Sequence, residues 1–335
     1  MADDMKARGG AATLLAFTPE ELEIMNAAAG VLREALPLAR LHGSQAMDLA
    51  PEARRQLGEL GWYALALPED HGGSGLSAVE HALFFREVGR QCGPLDVLVQ
   101  ALAANTAQDA GLRAALVAGE VEAALAEDDG QAVRLLGTPG AGLALRVSPA
   151  GASLHDIAGV QVQARPGLDP ATTMATLPGL PPAIAERAGG AVAGLGQLGT
   201  AAMLVGLAEA ALDQIVEYAK VRETFGRKIG SYQAVRHPCA DMALRVESAR
   251  SQLWYAAASL KGGRADAQAH LDAAKHLANE AALANADSNI QLHGGIGVTD
   301  EHDAHLLLKR SLLLSRLFGA KRTLLARLLD AQLQD

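Results

Sequence analysis

The sequence predicts a mainly α protein in three parts: a helical N-terminal domain over 1–127, a short β middle domain over 128–188 and a C-terminal four-helix bundle over 189–335. Three observations carry this. Alanine and leucine dominate and aromatics are only 3%, a composition that loses little on entering a helix and lacks the bulky residues of β-rich proteins. From about residue 190 apolar residues recur at helical spacing, as at Met203, Leu207, Ala210, Ala211, Ile215 and Tyr218. The only β-like stretch is broken by Gly, Pro and Asp between about 128 and 182.

Thr18-Pro-Glu-Glu opens the first helical run: a capping threonine, proline at the first helical position, then acids in the first turn. That run continues with breaks to Leu60-Gly61-Trp62. Pro68-Glu-Asp-His-Gly-Gly-Ser-Gly75 reads as a loop, after which Ser77 caps a helix over 78–90. Helical pattern is read over 94–127, and brief strands over 132–136, 143–147 and 160–164. Helices follow over 200–220, 232–261 and 265–292, then one long or two short helices over 301–333. Long helices with short links read as an antiparallel bundle.

The bulk numbers exclude several classes. A net charge of -9 with no basic run argues against nucleic acid or an anionic membrane as the main partner. Cys92 and Cys239 give neither a disulfide framework nor a zinc spacing. Met1-Ala-Asp-Asp has early acids and no apolar core of a signal peptide. The apolar stretch around 201–212 contains Glu209 and reads as too short to span a bilayer. The expectation is a soluble cytoplasmic protein.

Several motifs have a plain reading. Gly194-Leu-Gly-Gln-Leu-Gly199 has the spacing of a dinucleotide fingerprint but no good strand before it and no βαβ series after it, so it reads as a loop entering a long helix. Glu301-His-Asp-Ala-His305, with His293 nearby, fits no zinc spacing and reads as a polar helix start capped by Thr299 or Asp300, with no metal. Gly72-Gly-Ser-Gly75 fails the spacing of a nucleophile elbow. Arg222-Glu-Thr-Phe-Gly-Arg-Lys-Ile-Gly-Ser-Tyr-Gln233 is more open. It can present an arginine and free N–H groups to an anion, or it can be a basic helix C-terminus favoured by the macrodipole. Gln291-Leu-His-Gly-Gly-Ile-Gly297 is equally a helix stop or a close backbone approach to a phosphate.

Together these two segments resemble the acyl-CoA dehydrogenase family, which has R-x-x-F-G…Q before one long helix and Q-x-x-G-G-x-G after the next. Pro68-Glu-Asp-His-Gly-Gly-Ser-Gly75 is similar to the family's N-terminal P-E-x-x-G-G-x-G loop, and Gly167-Leu-Asp-Pro-Ala-Thr172 to the end of its middle domain. The resemblance covers about 18 to 320 and implies the three-part fold above. It also implies FAD lying across a subunit interface. One subunit holds the flavin ring, and its neighbour holds the pyrophosphate and adenosine end. The positions matching the neighbour's set are Arg222, Thr224, Phe225, Gln233, Gln291, Gly294 and Gly295.

The flavin-ring set departs from the family. Its T-E-P-x-x-G-S-D segment should fall near 128–145, where nothing matches, and the middle domain looks truncated. The family's glutamate base sits at one of two places, and here these are Phe318, within Arg316-Leu-Phe-Gly-Ala320, and Gly196. Neither accepts a proton, so no catalytic residue is assigned; the family's substrate-contacting arginine is matched by Gln197. Gly294 through Arg310 resembles a subset of bacterial members that form α2β2 heterotetramers, several acting on CoA thioesters of steroid side chains. The resemblance therefore implies an FAD-sharing subunit whose partner, a second acyl-CoA dehydrogenase-like chain, carries the base. It further implies an acyl-CoA substrate and an electron-transfer flavoprotein as acceptor. Two alternatives remain at this point: a self-sufficient homomeric flavoenzyme with an unrecognised base, or a flavin-free structural or binding homologue.

Overall fold

The computed structural model describes residues 17–42, 49–128, 130–137, 140–169 and 172–333. Met1 to Asp4, Asp129, and Pro170 and Ala171 of the Gly167–Thr172 motif lie outside these. The N-terminal helices are α1 (Pro19–Ala35), α2 (Pro51–Glu59), α3 (Ala78–Arg90), α4 (Asp96–Thr106) and α5 (Ala110–Val117), with a 3-10 turn at Leu38–Leu41. Both expected caps form. Thr18 and Glu21 make a reciprocal capping box at α1, and Ser77 and Glu80 make another at α3.

The middle of the chain is a seven-stranded sheet: β1 (Ala123–Asp128), β2 (Val133–Leu136), β3 (Leu143–Ser148), β4 (Gly151–Asp156), β5 (Gln163–Arg165), β6 (Met174–Leu177) and β7 (Ala183–Ala188). Their spatial order is β5-β6-β2-β1-β3-β4-β7, and among the described residues only the β1–β3 pair is parallel. This corrects the sequence reading in three ways. There are more strands than the three expected, and the piece at 160–164 pairs only over 163–165. The helical pattern to 127 also ends early, because Ala123-Ala-Leu-Ala126 is a strand. Alanine favours a helix by propensity, but here β2 and β3 take its backbone hydrogen bonds and the narrow side chains fill both faces of the sheet. Ala123 and Leu125 join the main core, and Ala124 and Ala126 a second cluster with Val133, Leu135 and Ile157.

The C-terminal half holds α6 (Ala191–Val221), a hairpin of β8 (Glu223–Thr224) and β9 (Arg227–Lys228), α7 (Gln233–Lys261), α8 (Ala267–His293), a 3-10 turn (Gly294–Val298), α9 (Ala304–Leu314) and α10 (Lys321–Asp330). The Gly194–Gly199 motif is not a loop, since it lies in the first turns of α6. Neither Thr299 nor Asp300 caps a helix at 301: α9 begins at Ala304, whose N–H is accepted by His302 Nδ1 at 3.1 Å. The apolar stretch is also longer than expected. By length and composition α6 could cross a membrane, yet 78% of its most apolar window is buried inside the protein. Glu209, midway along it, is paired with Arg86 at 2.8 Å and Arg90 at 3.1 Å, which compensates its burial.

Helices α3 and α6 cross with almost no space between their backbones. A methyl group at Gly206 would stand 2.1 Å from the Arg86 carbonyl oxygen, and one at Gly89 would stand 2.0 Å from that of Met203. Both contacts are with backbone, which cannot swing away. Gly206→Ala should therefore destabilise the protein by about 3 kcal/mol or more, as overpacking of a rigid contact does. Urea denaturation measures this, and a loss below about 0.5 kcal/mol would show that the crossing can relax.

Candidate functional site

Helices α6 and α8 run parallel. Gln197 meets Asp272 at 2.7 Å, Asn285 donates to the Ala208 carbonyl at 3.2 Å, Asn289 donates to Gln214 at 2.9 Å, and the Tyr218 and His293 rings meet at a tilt with centroids 4.4 Å apart. Contacts thus advance together along both helices, and the two C-termini arrive at one end of the bundle. Arg222 ends α6 one turn beyond Tyr218, and Gly294 follows His293 directly. The two candidate flavin-facing segments are brought together there.

The hairpin after α6 is built to project. Phe225 and Gly226 form its two-residue turn, with φ of 50° and 77°. Positive φ at both central residues marks the type I′ turn that fits the twist of paired strands. Glycine adopts it freely, whereas phenylalanine does so under strain. Phe225 is 94% exposed at the tip. The base of the hairpin is held by Tyr232 Oη donating to the Thr224 carbonyl at 2.9 Å, and by the Arg227 guanidinium 3.9 Å from the centre of the Tyr232 ring. Arg222, Thr224, Gln233 and Gln291 are all exposed. At Gly294, with φ 69°, and at Gly295, a Cβ would meet nothing within 4 Å, so backbone there stands open to a ligand. The exposed cations Arg222 and Arg227, at the same end of the bundle as an open glycine backbone, suit an anionic group such as a pyrophosphate, while Lys228 is paired with Glu223 at 2.6 Å.

At the opposite end of α6 a cleft of about 740 Å³ opens between the sheet and the bundle. Its walls include Glu127 and Arg146 from the sheet, and Gly194, Gln197, Arg316 and Phe318 from the bundle. The two positions matched to the family's base are in contact here. An ideal Cβ at Gly196 would lie 2.4 Å from the Phe318 ring. With that ring in place no side chain fits at 196, so the two positions exclude one another. Gln197, though on the cleft wall, has its amide committed to an internal network. Its amide donates to Asp272, Gln268 donates to its carbonyl oxygen at 3.1 Å, and Arg327 donates through Nε to Asp272 at 2.8 Å.

Phe318 itself has φ 53°, and the turn that carries it is clamped from α8. Lys275 is fully buried and donates to the Leu314 carbonyl at 3.0 Å and to Asn279 at 2.7 Å. Burial pulls its ammonium down to about 7. One cleft group escaped the sequence reading. Glu127 lies on the bundle face of β1, and burial raises its carboxyl above the usual range while Arg134 opposes that shift. Only the alternation of β1 reveals this, and the alanine-rich sequence there predicts a helix instead. Among the described residues no group of three His, Cys, Asp or Glu is placed to hold a metal ion.

The acyl-CoA dehydrogenase N-terminal domain family matches residues 18–113 and the acyl-CoA dehydrogenase C-terminal domain family matches residues 192–333. Acyl-CoA dehydrogenase FadE34 of Mycobacterium tuberculosis is 37% identical over 274 residues, covering 76% of this chain but only 38% of the length of FadE34. Acyl-CoA dehydrogenase IpdE2 of the same organism is 33% identical over 284 residues, 81% of this chain and 83% of that protein. Among solved structures, the Tcur3481-Tcur3483 steroid ACAD G363A variant superposes with a TM-score of 0.78 at 25% identity, covering 93% of this chain and 97% of that one. The ChsE4-ChsE5 complex from Mycobacterium tuberculosis gives 0.77 at 23% identity, covering 94% and 98%, a likeness of fold.

The mutual exclusion of side chains at 196 and 318 has a measurable consequence. Gly196→Ala should cost about 2 kcal/mol in urea denaturation, and the same change made on Phe318→Ala should cost well under 1 kcal/mol. Additive effects in this cycle would show that the ring does not occupy the space beside Gly196.

Proposed function

We propose that this chain, which belongs to the acyl-CoA dehydrogenase family, is one subunit of a heteromeric FAD-dependent enzyme that desaturates an acyl-CoA thioester between its α and β carbons. Its role is to complete a partner's flavin site. Arg222, Thr224, Phe225, Gln233, Gln291, Gly294 and Gly295 would hold the pyrophosphate and adenosine end, and the partner would provide the ring site and the base. When bound, the flavin supplies the hydride acceptor for the desaturation.

One observation carries this reading. The open glycine backbone and Arg222 lie at one end of α6, and the family's base positions lie at the other. Between Gly196 and Arg222 the helix spans roughly 40 Å, farther than the two ends of one flavin dinucleotide. A flavin held at Arg222 would therefore not reach this chain's own cleft with its ring, which supports a ring site supplied by a partner. This chain's own cleft offers only Gly196 and Phe318 where the base would stand. Similarity to the Tcur3481-Tcur3483 steroid ACAD supports a bulky substrate such as a steroid side-chain thioester. An electron-transfer flavoprotein fits as the electron acceptor, in the cytoplasm.

Glu127 favours a second reading. Its carboxyl lines this chain's own cleft with a raised pKa, the property of a general base poised toward neutrality. On that reading the chain is a self-sufficient flavoenzyme and Glu127 removes the α-proton.

The chain expressed alone and with its genomic neighbour separates the two by flavin absorbance and acyl-CoA turnover. The heteromer reading expects flavin and turnover only from the pair, with Glu127→Gln leaving turnover within about twofold. It also expects Arg222→Ala to weaken flavin binding in the pair by roughly 10- to 100-fold, the loss of one charge-assisted contact. A yellow, active protein from this chain alone, abolished by Glu127→Gln, overturns it in favour of the second reading.

A further inference from the structure

We infer that His42 is a positioning residue for the 294–303 segment, bolting its far end to the N-terminal helices. The inference rests on the reading of that segment as flavin-facing, but the bolt itself stands on geometry. His42 follows the Leu38–Leu41 turn, and both of its ring nitrogens face acceptors. Nδ1 donates to the Asp300 carbonyl at 2.8 Å, and Nε2 donates to the Asp303 carboxylate. A neutral imidazole has one N–H and cannot make both bonds, so this arrangement needs the doubly protonated ring.

The anchor beneath His42 is rigid. Arg40, two residues earlier, donates to the carbonyls of Leu36, Gln91 and Cys92, the last at 2.6 Å, and so fastens the 3-10 turn to the end of α3. Leu41 is buried beside it. On the receiving side, Asp303 occupies the N-cap position of α9 yet makes no capping bond, because its carboxylate is committed to His42. His302 accepts the Ala304 N–H in its place, and its ring contacts that of His293 at a tilt, with centroids 4.3 Å apart. The segment that begins at Gly294 is thus held by the ring contact with His293, and by His42 at Asp300 and Asp303.

The titratable groups facing His42 are Asp300 and Asp303 from the segment and His305 from the first turn of α9. The hydrogen bond to Asp303 is the main cause holding the His42 ring above its ordinary value, and burial opposes it. The sign follows. A histidine raised in the folded state contributes fully below its ordinary pKa of about 6.5, and that contribution is lost as pH rises through the raised value. The grip should therefore loosen toward alkaline pH.

Flavin retention by the co-expressed complex, followed from about pH 6 to about pH 9 across the ordinary histidine range, tests this, together with amide hydrogen exchange over 294–304. In the wild type, flavin dissociation should quicken by about tenfold across the titration, the loss of roughly one hydrogen bond to a charged group, and exchange over 294–304 should rise with it. His42→Gln should show the fast rate throughout with no such transition. Asp303→Asn should move the transition to lower pH, a shift that a merely structural role would not produce. Equal rates and the same pH profile in wild type and His42→Gln overturn the inference. If no variant holds flavin at any pH, the flavin reading of the segment fails. Hydrogen exchange then decides on His42 alone: protection that depends on pH only while His42 is present supports it, and protection indifferent to both overturns it.

Discussion

Asn285 and Asn289 fix the register in which α8 lies along α6. Asn285 is fully buried and donates to the carbonyls of Ala208 on α6 and Met242 on α7; Asn289, also fully buried, reaches Gln214. A buried amide left without partners costs about 1–3 kcal/mol, so a slip of one turn along this largely alanine interface would orphan these groups at once. Alanine faces pack closely but carry little shape to oppose sliding, and the asparagines supply what they lack. Because the register is parallel, both ends of the helix pair are defined together. One end carries Arg222 and the Gly294–Gly295 backbone. The other carries Gly196, Gln197 and Asp272.

At the cleft end, the chemistry has been turned inward. Asp272 is a buried carboxylate, but Gln197, Gln268 and Arg327 surround it, and it serves as a hub of packing. Phe318 occupies the volume beside Gly196, and the turn bearing it is tied to α8 by Lys275 and Asn279. The buried ammonium of Lys275 bonds to a carbonyl and an amide oxygen, and its lowered pKa reflects that burial. An arrangement this constrained does not reopen by the rotation of one side chain.

The legible parts of the fold were those whose signals are local. Ser77 and Glu80 specify a cap within four residues, and α3 begins where they place it. The order of long helices followed from spacing alone. What was missed depended on partners distant in sequence. Ala123-Ala-Leu-Ala126 is a strand because β2 and β3 bond to it, against its propensity. The glycines of Gly194–Gly199 resemble a loop by composition, yet Gly196 and Gly199 are helical and small because Phe318 and Leu98 press on them. Glu127 could be placed in the cleft only once β1 was known. Helix α9 starts only at Ala304, with the Asp303 carboxylate turned to His42, a partner distant in sequence. For the candidate site, the residues of the two segments proposed to face a flavin are readable as motifs. Their convergence was not, since it comes from the parallel register.

The hairpin tip shows where stability has been given up. A non-glycine residue at positive φ costs about 1–3 kcal/mol, and an exposed phenylalanine forgoes roughly the 1.5–3 kcal/mol of burial available to it. Phe225 does both, while Tyr232 and Arg227 hold the hairpin that presents it. An unneeded loop would collapse onto the bundle or carry asparagine or glycine at that turn position. A strained aromatic held rigidly in solvent recovers its cost only when something covers it. On the proposed reading the cover is a flavin and the chain that owns its ring, so the same projection that weakens the isolated subunit strengthens the assembly. The ordering entropy of the hairpin is already spent before the partner arrives.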